Sequence, residues 1–227
     1  MKSKPLLLLS LLAAAPVQAQ QAKPPALSSF ASNAAGFAPR GWTVEREARG
    51  DLNRDGLPDF AFVLIAAKPD PNPRMLGVAL GKAGGGYTLA ALNSAFLPAK
   101  RRPNGLSEGW MLFEEDSIAI AKNQLHIRFE YTRGHRSFTF GWRAGTLQLT
   151  GFDSVAVGGG CLDQLSINFL TRRAKMSAGW IDAPDPKPVW RTLPPRPLLS
   201  LQALGDGEEL DPYGLITSFP LRCPERP

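Results

Sequence analysis

The 227-residue chain is poor in the side chains that carry most covalent and metal chemistry, with two cysteines and two histidines. Zinc takes three or four Cys, His or carboxylate ligands, and His126 and His135 have no further His or Cys to complete a set. His126 also alternates onto the polar side of its segment, where a surface histidine is the plain reading. No Gly-x-Ser-x-Gly elbow, Ser-x-x-Lys pair or reactive-cysteine context occurs, so the common nucleophilic hydrolase signatures are missing. No apolar run approaches the roughly 20 residues that a membrane-spanning helix needs. Nothing repeats at a fixed period, which argues against a solenoid or a full propeller. Helical periodicity of useful length is scarce; one short turn is expected near Asn93 to Leu97.

The first residues have the form of an export signal. Lys2 and Lys4 precede the apolar stretch Leu6 to Ala15, and Val17 and Ala19 place small side chains where a signal peptidase reads. Residues 1–19 are therefore expected to be cleaved near Ala19, leaving a periplasmic or secreted protein without a transmembrane segment. No cysteine follows the cleavage point, which disfavours a lipid anchor. In an oxidising compartment an even cysteine count reads as a disulfide, and two cysteines allow one intramolecular pairing, Cys161 with Cys223.

The formal net charge of +6 is modest and spread out. Its densest clusters are Lys100-Arg101-Arg102 and Arg172-Arg173. Without interleaved aromatic residues they read as solvated loops, so no nucleic-acid partner is expected.

Residues 20–38 are rich in Ala, Gln, Ser and Pro and read as a flexible leader with some local order after Leu27. Residues 39–227 form a single domain whose texture is that of short strands between turns. Phe60 to Ile65 is a continuous apolar run, the pattern of a central buried strand. Met75 to Leu80 and Tyr87 to Leu92 flank Gly84 to Gly86 as a hairpin. A second hairpin joins Ile118 to Ile120 with Leu125 to Tyr131, whose alternation marks a half-buried antiparallel strand. Gly134-His135 reads as the next turn, followed by strands at Phe138 to Trp142, Leu147 to Phe152, Leu165 to Phe169 and Ala174 to Trp180. The proline-dense segment 182–197 can occupy neither a helix nor a central strand. It reads as a surface strap held by Trp190 as a core aromatic. The expected fold is an all-β, mostly antiparallel meander of nine or ten strands, closing into a sandwich or open barrel.

One segment carries chemistry. In Gly50 to Asp59, oxygen-bearing side chains fall at Asp51, Asn53, Asp55 and Asp59, with Gly56 after the third. Calcium takes six to eight hard oxygen ligands, and a tight loop must turn them inward. Positions 1, 3 and 5 would supply side chains, Leu57 its carbonyl, and Asp59 a carboxylate directly or through water. The place of the EF-hand's bidentate Glu is held by Phe62, which points to weak affinity. Asp, Asn and Gly also make plain turns, the competing reading.

This stretch, Asp51 to Asp59 followed by Phe60 and an apolar strand, resembles the calcium loop of FG-GAP and VCBS-type repeats, the integrin-like propeller-blade motifs. The resemblance implies a loop between two antiparallel strands, with Asp51, Asn53, Asp55, Asp59 and the Leu57 carbonyl around Ca²⁺. The chain as a whole resembles exported bacterial proteins with one such loop, which implies no activity.

The acidic runs Glu114-Glu115-Asp116 and Asp206 to Asp211 could in principle supply a glycosidase-type carboxylate pair, though acidic runs on glycine-bounded loops are ordinarily solvated. The expected function is a calcium-binding interaction module with a protein or envelope-component partner. The alternatives are a cell-envelope hydrolase using a carboxylate pair or an inhibitor or immunity-type protein.

Overall fold

The computed structural model describes residues 24–68, 72–100, 117–183, 186–218 and 223. Segment 1–19, Glu114 to Asp116 and Arg101-Arg102 lie outside the described residues. The fold is all-β. A five-stranded sheet contains β1 (Phe30–Ala31), β2 (Trp42–Gly50), β3 (Asp59–Ala66), β4 (Arg74–Gly81) and β5 (Tyr87–Asn93) in the order β1-β5-β4-β3-β2. A seven-stranded sheet contains β6 (Ile118–Ala121), β7 (Gln124–Tyr131), β8 (Gly134–Arg143), β9 (Thr146–Gly158), β10 (Cys161–Asn168), β11 (Arg173–Trp180) and β12 (Val189–Thr192), neighbours in sequence being neighbours in space. Every pairing is antiparallel. Among the described residues, helix is confined to single turns, and no helix is long and apolar enough to cross a membrane.

The continuous apolar run of β3 has a direct structural cause. Ala61 and Val63 enter the main core, which also holds Phe129, Phe138, Phe140 and Phe152 of the larger sheet. Phe60, Phe62 and Leu64 point the other way, into a second core with Phe37, Met75 and Ala79. A strand buried on both faces has no polar side to alternate with. The second core is closed by the segment before β2: β1 pairs with the β5 edge, and a 3₁₀ turn at Ala34–Phe37 drops Phe37 onto Phe62, ring centroids 5.3 Å apart. The local order expected after Leu27 is thus a packed cover. Gly77 of β4 belongs to the same arrangement, because a Cβ there would lie 2.2 Å from the Phe62 ring.

A bulge between Val44 and Arg46 takes Glu45 out of the β2–β3 register. Its carboxylate meets Arg74 of β4: Nε donates to Oε2 at 2.6 Å and Nη2 to Oε1 at 2.8 Å, while Nη1 donates to the Pro98 carbonyl. Both side chains are nearly buried, at 6% and 9% exposure, so this pair exists only because each half satisfies the other. Burial alone would push the Glu45 carboxyl up. The Arg74 hydrogen bonds and charge, with Lys100 and Arg46, outweigh that and hold it below its usual value.

Four details differ from the sequence reading. There are twelve strands among the described residues rather than nine or ten, because the two-residue β1 and the edge strand β12 escape a pattern search. The turn after β7 is at Thr132-Arg133, not Gly134-His135; Gly134 is already in β8, where a Cβ would lie 1.9 Å from the Val155 carbonyl oxygen. Asn93 to Leu97 forms no helix. The Asn93 side-chain oxygen accepts from the Ala95 and Phe96 amides and its nitrogen donates to Leu201 and Leu204, satisfying the backbone without helical bonds. Trp190 is not a core residue: it is 54% exposed on β12, and the strap is anchored instead by Leu193, 5% exposed.

Cys161, the first residue of β10, is disulfide-bonded to Cys223 with Cα atoms 5.7 Å apart. The bridge fastens residue 223 to the larger sheet.

Truncating Phe37 to Ala opens the second core and is expected to cost about 3–5 kcal/mol in a denaturant titration. The Glu45 shift predicts a direction for acid. A carboxyl with a lowered folded-state pKa contributes stability above its unfolded value that is lost as pH falls through the folded one. The denaturation midpoint should therefore fall as the medium is acidified below about pH 5. Glu45→Gln should be less stable at neutral pH and lose less on acidification.

Candidate metal centre

Residues 51–58 connect β2 to β3, whose last pair is Gly50 with Asp59, so the loop closes an antiparallel hairpin. Arg54 and Gly56 lie in the left-handed region, φ 65° and 81°, and give the loop its curl. Asp51 organises the turn from its first position. Its Oδ1 accepts from the amides of Arg54 at 2.6 Å and Asp55 at 3.2 Å, and its Oδ2 from Gly56 at 3.1 Å. Asn53 Oδ1 accepts from the Asp55 amide at 3.1 Å, while its Nδ2 donates to Asp55 Oδ2 at 2.8 Å. Asp55 Oδ1 accepts from the Leu57 amide at 2.8 Å.

Asp59 differs from the other three. It is fully buried, and its carboxylate ties three pieces of backbone together: Oδ2 accepts from Leu52 at 2.7 Å and Asn53 at 3.4 Å, and Oδ1 from Gly81 of β4 at 2.9 Å. Burial pushes its pKa up, the three amides oppose that, and the nearby Asp55 charge adds to it. Leu52, which it holds, is a main-core side chain at 1% exposure. From the larger sheet, Asn123 in the β6–β7 turn donates its Nδ2 to the Asp51 carbonyl at 2.5 Å. Its turn is legible from Lys122-Asn123, both at positive φ; its bond to Asp51 comes from the packing of two sheets and has no sequence signal.

The structure thus brings Asp51, Asn53, Asp55, Leu57 and Asp59 into one hairpin loop. The donor set is all oxygen, the type a hard cation takes. The side chains as placed serve the loop's own amides, and Asn53 presents its nitrogen to Asp55. Among the described residues no group of three or more His, Cys, Asp or Glu side chains is arranged to hold a metal ion.

Other candidates are dispersed. His126 pairs across the ladder with Thr139, its Nδ1 3.3 Å from the threonine Oγ1, while His135 pairs with Glu130. The two sit four residues apart along the strand pair, about 13 Å at strand spacing. Burial lowers the His135 pKa, Arg128 adds to this, and Glu130 and Asp153 oppose it. In the second acidic run, Asp206 accepts from the Glu208 amide and Asp211 from the Ile216 amide, each closing a local turn. Lys100 lies 3.7 Å from Glu45, and Arg173 stacks over Trp190 with Cζ 5.1 Å from the ring centroid.

No protein-family model matches the chain, and neither a curated protein nor a solved structure matches it.

Asp59→Ala is expected to destabilise the fold by about 2–4 kcal/mol, because it orphans backbone amides that now bond to a charged acceptor. Asp55→Ala, on the exposed side of the same loop, should change the midpoint far less. Chemical denaturation of the two variants side by side checks this.

Proposed function

We propose that the chain is an exported interaction module, periplasmic or secreted, whose 51–59 loop takes calcium and whose partner is a protein or an envelope component. The observation that carries the calcium reading is the loop itself. Oxygen-bearing side chains alternate at 51, 53 and 55 on a turn curled by two left-handed residues, between antiparallel strands. Asp51, Asn53 and Asp55 would hold the ion with the Leu57 carbonyl, Asn53 turning its oxygen toward it. Asp59 would contribute from below, through water or by exchanging an amide partner for the ion. Calcium would supply charge neutralisation for three closely spaced aspartates and pin the β2–β3 connection; it needs no catalytic role.

The disulfide agrees with an oxidising compartment. A binding role is preferred to hydrolysis because the sequence holds no nucleophile motif and, in the Asp206 to Asp211 run, the Asp206 and Asp211 carboxylates close local turns.

Thermal melts with calcium and with chelator test the reading. For a dissociation constant of about 10⁻⁴–10⁻³ M, about 10 mM calcium stabilises by about 1.4–2.7 kcal/mol. The melting temperature should rise accordingly, and Asp51→Ala should abolish the rise. An unchanged midpoint at that concentration overturns the calcium site.

A further inference from the structure

The outward face of the seven-stranded sheet is organised in cross-strand rows. One row runs Ser137, Asp153, Ser166, Lys175 and Trp190, on five successive strands from β8 to β12. At strand spacing of about 4.8 Å this is a track of about 19 Å. The inward partners of these residues, such as Phe138, Phe152, Ile167, Ala174 and Met176, are buried in the main core. A polar outer face is ordinary for an antiparallel sheet. This one is distinguished by three further features.

The face is hollowed. One depression of about 340 Å³ is lined by His135, Asp153 and Gln164 among others, and a second of about 420 Å³ by Asn168, Arg173 and Trp190 among others. Both are shallow and open to solvent, and they share Ser166 and Lys175, so they form one track along the face. Next, an indole stands at the end of the track, 54% exposed, with Arg173 stacked against it. Tryptophan, with an apolar body and one N–H donor, is a residue enriched at binding surfaces. Last, among the described residues neither Arg173 nor Lys175 forms an ion pair, although both stand beside that indole.

From this lining we infer that the outer face of β8–β12 binds an acidic polysaccharide, a chain of sugars bearing spaced carboxylates. Sugar hydroxyls donate and accept at once. The track supplies both kinds of partner in Ser166, an acceptor in Asp153, and donors in the amide nitrogens of Asn168 and Gln164, whose oxygens accept from the Thr171 amide and the Ser177 hydroxyl. The indole offers a flat apolar platform for the C–H face of a sugar ring. Arg173 and Lys175 supply charge for a uronate next to it. A nucleic acid fits less well, because Asp153 lies in the middle of the track and there is one aromatic platform rather than a series. A peptide added as a strand would use the sheet edge, not this face.

The inference rests on the binding-module reading and names its partner class. Its test is titration of the full protein, in calcium-free magnesium buffer, with hyaluronan, alginate and polygalacturonate, with dextran as the neutral polymer and single-stranded DNA as a polyanion of another class. Binding to at least one uronate polymer is expected, weakening with salt, with dextran and DNA weaker. Trp190→Ala and Lys175→Gln should each weaken it about tenfold or more. Lys82→Gln, an exposed lysine in the β4–β5 turn of the other sheet, should leave it unchanged. If Trp190→Ala lowers the melting temperature, Lys175→Gln alone decides. No binding to any of the three uronates overturns the inference and leaves a protein-partner module standing. So does equal weakening by Lys82→Gln, or tighter binding of DNA. Release of reducing ends from a bound polymer would instead overturn the non-catalytic reading and keep the surface.

Discussion

The structure turns on a strand that cannot face water. β3 places Phe60, Phe62 and Leu64 on one side and Ala61 and Val63 on the other, all fully buried. Two covers are then obligatory, since either face left open would expose contiguous apolar surface. The larger sheet closes one side with its phenylalanines, and the segment from β1 to Phe37 closes the other. The order of the smaller sheet follows: β3 is interior, between β2 and β4, and the short β1 caps the β5 edge next to the turn that delivers Phe37.

The Asp-rich loop inherits its position from this strand. Asp59 is both the last residue of the motif and the first of β3, and its carboxylate is buried where it binds the amides of Leu52, Asn53 and Gly81. A buried charge must be compensated by hydrogen bonds, and here the same bonds join the loop to β4. The loop's other end is tied to the larger sheet through Asn123. A cation at Asp51, Asn53 and Asp55 would therefore act on a connection that touches both sheets, which is the physical basis for reading calcium as a stabiliser.

Much of the fold was legible because period-two alternation and glycine-marked turns are local signals. Leu125, Ile127 and Phe129 are buried, and Gly84 to Gly86 all adopt positive φ between β4 and β5, as the pattern implied. At Asn93, Gly134 and Trp190, where the local pattern and the structure differ, a partner distant in sequence decides. The pattern at Asn93 suggests a helical turn, but its side chain bonds Leu201 and Leu204 and caps the chain after itself. Gly134 has the pattern of a turn residue, but β9 crowds it within the sheet. Composition alone suggests a core role for Trp190, yet on an edge strand whose four residues are all exposed it packs against Arg173 and faces solvent.

The sequence by itself determined the all-β class, the single pairing open to two cysteines and the oxygen-donor loop at 51–59, because each depends on residue type and spacing along a few neighbours. Only the tertiary structure decided that the segment around Phe37 is a cover, that Glu45 and Arg74 form a buried pair, that Asp59 serves backbone amides, and that Ser137, Asp153, Ser166, Lys175 and Trp190 stand in one row. Those five residues are spread over five strands, and sheet register alone makes them neighbours. A one-residue slip in any pairing would send its strand's side chains to the opposite face.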